Sequence, residues 1–129
     1  MQHYRSDAAP APGGPYSHAV RAGDLIFLSG QRPQDPATGE IPQGLTAQAR
    51  QVFTNLAAVL QLSECGFEDV VRVGVYLADI AFFDEFNAVY REFFEEPFPA
   101  RTTVGCVLRG ILVEVDVVAQ VRPAGGDLG

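Results

Sequence analysis

The stretch that decides the fold is residues 98–119, FPARTTVGCVLRGILVEVDVVA. Its first extended run begins around Arg101, and its second run carries Glu114 among aliphatic residues. Apolar side chains recur at every second position of the second run, a pattern typical of a strand with a buried face. A carboxylate in such a strand is costly unless it is paired or hydrogen-bonded. The short connection through Gly110 predicts two adjacent strands that bring Arg101 and Glu114 to one site.

Two interpretations of this pair compete. An ion pair between Arg101 and Glu114 would hold two strands, or two subunits, in register. Alternatively, Arg101 binds an anion and Glu114 acts on a water molecule. Structural ion pairs resemble functional sites, so these two residues alone favour the ion pair. The rest of the chain has to decide between the two.

Size and charge exclude several classes of protein. A chain of 129 residues, of which 47% are hydrophobic, predicts one globular domain over residues 1–129. The net charge of −7 opposes binding to nucleic acid and to anionic membranes, because both depend on Lys and Arg. The chain contains no apolar run long enough to span a bilayer, and its N-terminus lacks the apolar segment of a signal peptide. We therefore expect a cytoplasmic protein.

The residue types that bind metals and nucleotides are not grouped in this sequence. Cys65 and Cys106 fit no metal-ligand spacing, and His3 and His18 stand apart from them. The glycine-rich motifs that cradle phosphates are also missing. The sequence thus predicts neither a metal nor a cofactor.

Hydrophobic periodicity predicts the element order β-β-β-α-β-α-β-β. A helix is expected over 46–64, with Thr46 as its N-cap and Gly66 at its C-terminal end, and another over 80–95, capped by Asp79. The predicted strands are 2–6, 17–21, 25–29, 70–77, the run that starts near Arg101, and 111–119. Both helices connect strands, which predicts an α+β fold with both helices packed on one face of a mixed sheet. The other face is half apolar and is expected to be buried against another subunit.

Three local expectations follow from the same patterns. The strand over 70–77 should bury one face, which carries Val71, Val73, Val75 and Leu77. Gly30 should allow the backbone to approach a ligand or a neighbouring strand closely. Asn87 lies in the middle of the second helix, a position where Asn is mildly unfavourable and usually faces water.

Seven short motifs, in this order and at these intervals, resemble the YjgF/RidA family of reactive intermediate deaminases. They are GPY at 14–16, SGQ at 29–31, TGE at 38–40, QAR at 48–50, FNAVYREFF at 86–94, PAR at 99–101 and VEV at 113–115. The resemblance spans nearly the whole chain. It implies a chorismate-mutase-like α+β fold with a six-stranded sheet, assembled as a homotrimer with three sites between subunits. It also implies hydrolysis of 2-enamine or 2-imine acids, such as 2-aminoacrylate and 2-iminopropanoate, to a 2-keto acid and ammonia.

The resemblance also implies roles for single residues. Arg101 matches the arginine that binds the substrate carboxylate, and Glu114 matches the glutamate that acts on water. Tyr16, Ser29 and Asn87 match residues that line the pocket. A planar guanidinium binds a carboxylate with two hydrogen bonds, and a carboxylate can orient water and transfer its proton. This chemistry requires neither metal nor cofactor.

The sequence departs from the family pattern at two places near Arg101. Thr102-Thr103 replaces the Ser-Cys that often follows the arginine, and the loop before Glu114 is shortened around Leu108-Arg109-Gly110. The natural substrate therefore stays open at this point.

Two alternative functions use the same residues or the same family. One is a non-catalytic trimer that binds small carboxylates or a partner protein, in which Arg101 and Glu114 form a ligand clamp or an interface pair. The other is a ribonuclease or translation inhibitor, which the net charge of −7 opposes. The expected partners are a small 2-imino or 2-keto acid and other copies of the chain, with neither nucleic acid nor membrane.

Overall fold

The computed structural model describes residues 1–122, over which the chain forms one mixed sheet and two α-helices. The strands are β1 (Gln2–Tyr4), β2 (Ala19–Ala22), β3 (Leu25–Gln31), β4 (Val70–Leu77), β5 (Ala100–Gly105) and β6 (Val113–Gln120). The helices are α1 (Leu45–Gln61) and α2 (Phe83–Phe93), with short 3-10 turns at Phe67–Asp69 and Ile80–Phe82. The predicted element order and the α+β class with a six-stranded mixed sheet are confirmed.

The strand order in the sheet is β1-β2-β3-β6-β4-β5. Only β4 and β5 are parallel, and α2 makes the crossover that parallel neighbours require. The residues between β5 and β6 then cross the end of β4. Along this crossing, the Cys106 N–H donates to the Leu77 carbonyl and the Ala78 N–H donates to the Leu112 carbonyl, each at 2.9 Å.

The expected adjacency of the strands that carry Arg101 and Glu114 is wrong. β4 lies between β5 and β6, pairing with both along its length. The reason is the loop over 106–112, which is long enough to pass the end of β4 and is fastened there by backbone hydrogen bonds. The strands that carry Arg101 and Glu114 are close in sequence, but they do not pair with each other.

The core lies between both helices and one face of the sheet. The apolar stripe of α1 is buried as predicted, and it comprises Ala49, Val52, Phe53, Leu56, Val59 and Leu60. Phe53 is at the centre of an aromatic cluster, with ring centroids 4.8–6.1 Å from those of Phe67, Phe86, Tyr90, Phe93 and Phe94. Since α2 supplies most of these rings, the cluster fixes α2 against α1 and the sheet.

The predicted face of β4 is correct except at its first position. Val73, Val75 and Leu77 are buried, whereas Val71 is 43% exposed. The pairing of β4 with β6 shifts register between Val70 and Arg72. Because a bulge of this kind reverses the side-chain alternation, Val70 takes the buried position that periodicity assigned to Val71.

The helix ends differ in detail from their predictions. α1 begins at Leu45 with Gly44 as its N-cap, so Thr46 lies inside the first turn instead of capping it. Gly66 begins the 3-10 turn before β4 instead of ending α1. Asp79 does act as a cap: its carboxylate accepts a hydrogen bond from the Ala81 N–H, at the 3-10 turn that leads into α2.

Within residues 1–122, no helix packs on the second face of the sheet. Phe27 is 45% exposed there, and Val118 and Glu114 are half-buried beside it. The hydroxyl of Tyr76 donates to Asp116 Oδ2 at 2.9 Å on the same face. This surface is half apolar, as predicted, and what covers it stays a prediction. Neither α-helix within residues 1–122 has the length and apolar character needed to cross a membrane.

Candidate active site

Arg101 projects from the edge strand β5 towards α2. Its guanidinium carbon lies 4.6 Å from the ring centroid of Tyr90, 5.1 Å from that of Phe86 and 5.5 Å from that of Phe83. Its Nε donates to Thr103 Oγ1 at 2.7 Å. Aromatic faces attract a guanidinium, and the hydrogen bond from Nε fixes its rotation. The head group is therefore held in place beside α2.

A hollow of about 240 Å³ surrounds this guanidinium. It is lined by residues of α2, of the segment before β5, and of β5: Phe83, Asn87, Tyr90, Arg91, Phe98, Pro99 and Arg101. Three buried polar atoms of this lining have no hydrogen-bond partner within residues 1–122, namely Asn87 Oδ1, the Tyr90 hydroxyl and Arg101 Nη2. Buried polar atoms are almost always hydrogen-bonded. The Tyr90 hydroxyl and the Arg101 guanidinium lie close to each other, so Asn87 Oδ1 is the clearest exception, and the three atoms together favour a polar ligand in this hollow.

The position of Asn87 corrects the expectation that it faces water. Its side-chain oxygen is buried and the residue lines the hollow. Phe83, Asn87 and Tyr90 recur at helical spacing, so they share one face of α2. That face is turned towards Arg101.

The electrostatics of the hollow favour an anion. Burial is the main cause of a lowered pKa of Arg101; Tyr90 opposes that shift, and the positive charge of Arg91 adds to it. A guanidinium nevertheless stays protonated in proteins. Within residues 1–122, no carboxylate is within ion-pair distance of Arg101. Because an uncompensated charge at a partly buried position is costly, a carboxylate ligand would stabilise this arrangement.

Glu114 lies on the uncovered face of the sheet, on the central strand β6. A Cβ atom at Gly30 would come within 2.6 Å of Glu114 Oε2, so the glycine makes room for this carboxylate. The predicted close approach at Gly30 is thus confirmed, and its neighbour is a strand side chain. Burial raises the pKa of Glu114; the charge of Arg32 opposes this shift and that of Asp116 adds to it.

Tyr16 and Ser29 belong to the segments next to Gly30. Ser29 Oγ donates to the Ser17 carbonyl at 2.7 Å, and the Tyr16 hydroxyl accepts a hydrogen bond from the Gly13 N–H at 3.1 Å. The Tyr16 side chain is 45% exposed and lines a small hollow of about 50 Å³ together with Gly30. Both hydroxyls therefore have local partners, and Tyr16 is accessible to a ligand or to another chain.

The five predicted site residues fall into two groups within one chain. Arg101 and Asn87 share the hollow beside α2, whereas Glu114 lies on the opposite face of the sheet. Gly30 lies against Glu114, Ser29 precedes Gly30 in the chain, and Tyr16 lines a small hollow together with Gly30. Within residues 1–122, an ion pair between Arg101 and Glu114 is not formed. The described residues of one chain therefore do not form a single site that contains both charged groups.

Sequence reasoning missed two polar residues that line the hollow and one that orients Arg101. Tyr90 and Arg91 follow Asn87 by about one helical turn, which places them on the same side of α2. Thr103 is the second residue after Arg101 and so points to the same face of β5. Periodicity counted from the predicted residues would have found all three. Within residues 1–122, no group of three or more His, Cys, Asp or Glu side chains is arranged to hold a metal ion.

Comparison with known proteins identifies the class to which this fold and site belong. The sequence profile described as Endoribonuclease L-PSP matches residues 6–121. The chain therefore belongs to this family, which is the YjgF/RidA family.

Individual relatives agree over most of their length. A RutC family protein of Pyrococcus horikoshii is 42% identical over 117 residues, which cover 88% of this chain and 93% of the relative. The 2-iminobutanoate/2-iminopropanoate deaminase of Capra hircus is 41% identical over 118 residues, covering 89% and 86% of the two chains. Among solved structures, RidA of the Antarctic bacterium Psychrobacter sp. superimposes with a TM-score of 0.90 at 36% identity, covering 94% of this chain and all of that one.

Proposed function

We propose that this protein hydrolyses 2-imine and 2-enamine acids to 2-keto acids and ammonia. The observation that carries the proposal is the partly buried guanidinium of Arg101, whose Nη2 has no partner in a hollow that also holds Asn87. The Capra hircus relative, named as a 2-iminobutanoate/2-iminopropanoate deaminase, supports the choice of substrate class. Arg101 would bind the substrate carboxylate with two hydrogen bonds and so fix the position of the imine carbon.

The reaction adds one water and releases one ammonia. The water oxygen bonds to the carbon of the protonated imine as the C=N electron pair moves to nitrogen, and Glu114 accepts the proton that the water loses. Glu114 then gives this proton to the nitrogen. As the C–N bond breaks and ammonia leaves, the hydroxyl proton passes to Glu114 and the C=O bond forms; Glu114 finally releases that proton to the ammonia. Burial raises the pKa of Glu114. This suits the role, because a carboxyl group that both accepts and donates a proton works best when its pKa is close to the ambient pH.

We also propose that the active form is a homotrimer with its sites between subunits. Arg101 and Asn87 of one subunit would face Glu114, Tyr16 and Ser29 of a neighbour. Two features support this assembly: the sheet face around Phe27 is open and half apolar, and the two groups of site residues lie on opposite faces of one chain. Sedimentation should give about three times the chain mass of 13.9 kDa.

The test compares two variants in binding and in turnover. Arg101→Ala should lose affinity for pyruvate by about 1.5–3 kcal/mol, because it removes a charged hydrogen-bond donor. Glu114→Gln keeps the size of the side chain but removes the base, so it should lower hydrolysis of freshly generated 2-iminopropanoate by roughly 10²–10⁴-fold. Its affinity for pyruvate should stay near that of the wild type. Release of keto acid and ammonia above the uncatalysed rate is the readout.

The same hollow also supports a rival function, a trimer that binds small carboxylates without turning them over. Pyruvate binding that depends on Arg101, combined with imine hydrolysis at the uncatalysed rate, would select this rival. If Glu114→Gln hydrolysed the imine as fast as the wild type, the assignment of Glu114 as base would be wrong even with an active enzyme. The net charge of −7 weighs against a ribonuclease.

A further inference from the structure

A second guanidinium reaches the hollow of Arg101. Arg91 lies one helical turn after Asn87 on α2 and lines the same hollow. Its side chain is exposed, and within residues 1–122 it forms no ion pair. One arginine is therefore held inside the hollow and another stands at its rim.

Two arginines line this one small site, although the chain as a whole is acidic. The protein carries a net charge of −7, and Glu92, Glu95 and Glu96 follow Arg91 directly in the sequence. Those three carboxylates line a neighbouring groove that Arg91 also borders, and none of them lines the hollow. Both arginines line the hollow, and beside the larger effect of burial the charge of Arg91 lowers the pKa of Arg101, so the two guanidinium groups repel each other. A ligand with one carboxylate relieves only part of this repulsion.

The walls of the hollow suit a short carbon chain between two charged ends. Phe83 and Phe98 line it with apolar surface, and its volume is about 240 Å³. Methylene groups can pack on such rings while a carboxylate at each end meets a guanidinium. An acid with a single carboxylate and an apolar side chain would leave Arg91 without a partner.

Building on the function proposed above, we propose that Arg91 is a specificity-determining residue, and that this hollow prefers 2-imino and 2-keto acids with a second carboxylate on the side chain. The 2-carboxylate binds Arg101 and the side-chain carboxylate binds Arg91. The preferred substrates are accordingly the imines of acidic amino acids. Their hydrolysis follows the same balance, with one water consumed and one ammonia released.

The experiment compares two keto acids of equal carbon number. Titration calorimetry on the full-length protein measures the dissociation constants of 2-oxoglutarate and 2-oxopentanoate, which differ only in the side-chain carboxylate. Since exposed ion pairs are weak, we expect 2-oxoglutarate to bind roughly three- to fivefold more tightly. Because Arg91 is exposed, this ratio should fall as NaCl is raised.

Variants then assign the preference to Arg91. Arg91→Gln should reduce the ratio of the two dissociation constants to about one, and Arg91→Glu should invert it, because like charges repel. Arg21→Gln, on β2 near the other edge of the sheet, makes the same change in net charge and should keep the wild-type ratio. A purely structural role of Arg91 at the end of α2 would change the melting temperature without changing this ratio.

The outcomes separate this inference from the proposed function. A wild-type ratio of one or less, a ratio that survives Arg91→Gln, or no measurable binding of either acid would overturn the inference. If 2-oxoglutarate is preferred through Arg91 while every imine hydrolyses at the uncatalysed rate, the ligand class holds and the deaminase assignment fails. If imine is hydrolysed but the ratio of the two dissociation constants is one, the deaminase assignment holds and the preference for a second carboxylate fails.

Discussion

The surroundings of Glu114 disfavour the charged form of its carboxyl group. It is half-buried on β6 against Gly30, with Asp116 as a second negative charge nearby, and Arg32 only partly offsets these effects. Its pKa is raised above the ordinary value of 4.5 for this reason. The folded protein thus holds this proton at pH values at which the unfolded chain has already lost it. By linkage, the contribution of Glu114 to stability is greatest below the unfolded-state pKa and declines as the pH rises through the folded-state pKa.

Replacement of this carboxylate by an amide should therefore stabilise the fold near neutral pH. Glu114→Gln removes the charge that burial penalises, so its melting temperature should exceed that of the wild type above the folded-state pKa of Glu114. The difference should shrink as the pH falls towards about 4, where both proteins carry a neutral side chain. Thermal unfolding followed across this pH range gives the answer, with Glu40→Gln at an exposed loop as the control for net charge. A variant that melts below the wild type at neutral pH would indicate that a cation, such as Arg101 of a neighbouring subunit in the proposed trimer, stabilises the Glu114 carboxylate.

At the level of elements, α1 takes its N-terminal cap from α2. Gly44 has no side chain to offer, and Glu85 Oε2 accepts hydrogen bonds from the Thr46 N–H at 3.2 Å and from Thr46 Oγ1 at 2.7 Å. Thr46 was predicted to be the cap, yet it is one of the groups being capped. A contact so distant in sequence cannot be inferred from the local pattern around α1.

Loss of this cap should weaken the whole fold modestly. Glu85→Ala is expected to lower the free energy of unfolding by about 0.5–1 kcal/mol, the lower part of the range for lost N-caps, because the contact is exposed. Glu85→Gln keeps an acceptor oxygen and should lose less. Urea unfolding measures both, with Glu95→Ala as a control outside the helix. Equal losses in Glu85→Ala and Glu95→Ala would show that the inter-helix contact contributes nothing.

The elements also show which parts of the structure the sequence can predict. The apolar stripe of α1 and the bounds of β4 were correct, because burial imposes a period that can be read along the chain. The insertion of β4 between β5 and β6 was not predicted, because the hydrophobic alternation of a strand does not depend on which strand lies next to it. Val71 was misplaced for a related reason: one bulge residue shifts the alternation without changing composition.

The candidate site was predicted to a similar extent. Residue type and family resemblance pointed to Arg101, Glu114 and Asn87, of which Arg101 and Asn87 line the hollow, while the residues that hold or extend the hollow were not predicted. Thr103 accepts the hydrogen bond that orients the guanidinium of Arg101. Arg91 lies one helical turn after Asn87 and lines the same hollow. Neither carries a motif of its own. Periodicity counted from Asn87 and Arg101 points to both positions, but the sequence alone does not show that β5 and α2 lie side by side.

For the whole molecule, the decisive question is whether one chain can form the site alone. Arg101 faces α2 and Glu114 faces the uncovered side of the sheet, so the chain separates the two groups that the proposed reaction needs in contact. In a cyclic trimer every interface joins two different surfaces of the same chain. Such an interface can bring the α2 side of one subunit to the open sheet face of the next. Each subunit would then contribute half of two different sites.

Two inactive variants should therefore restore each other. Arg101→Ala and Glu114→Gln, each nearly inactive alone, are co-expressed with different tags and purified as mixed assemblies. A site that draws Arg101 from one subunit and Glu114 from the next is intact when the first chain is the Glu114 variant and the second is the Arg101 variant. A mixed trimer contains two chains of one variant and one of the other, so one of its three sites is intact and hydrolysis of 2-iminopropanoate should recover to about a third of the wild-type rate. Mixing the purified proteins without subunit exchange serves as the control and should give no recovery. Mixed assemblies that stay as inactive as their parents would mean that both groups act within one chain, and the site between subunits would have to be abandoned.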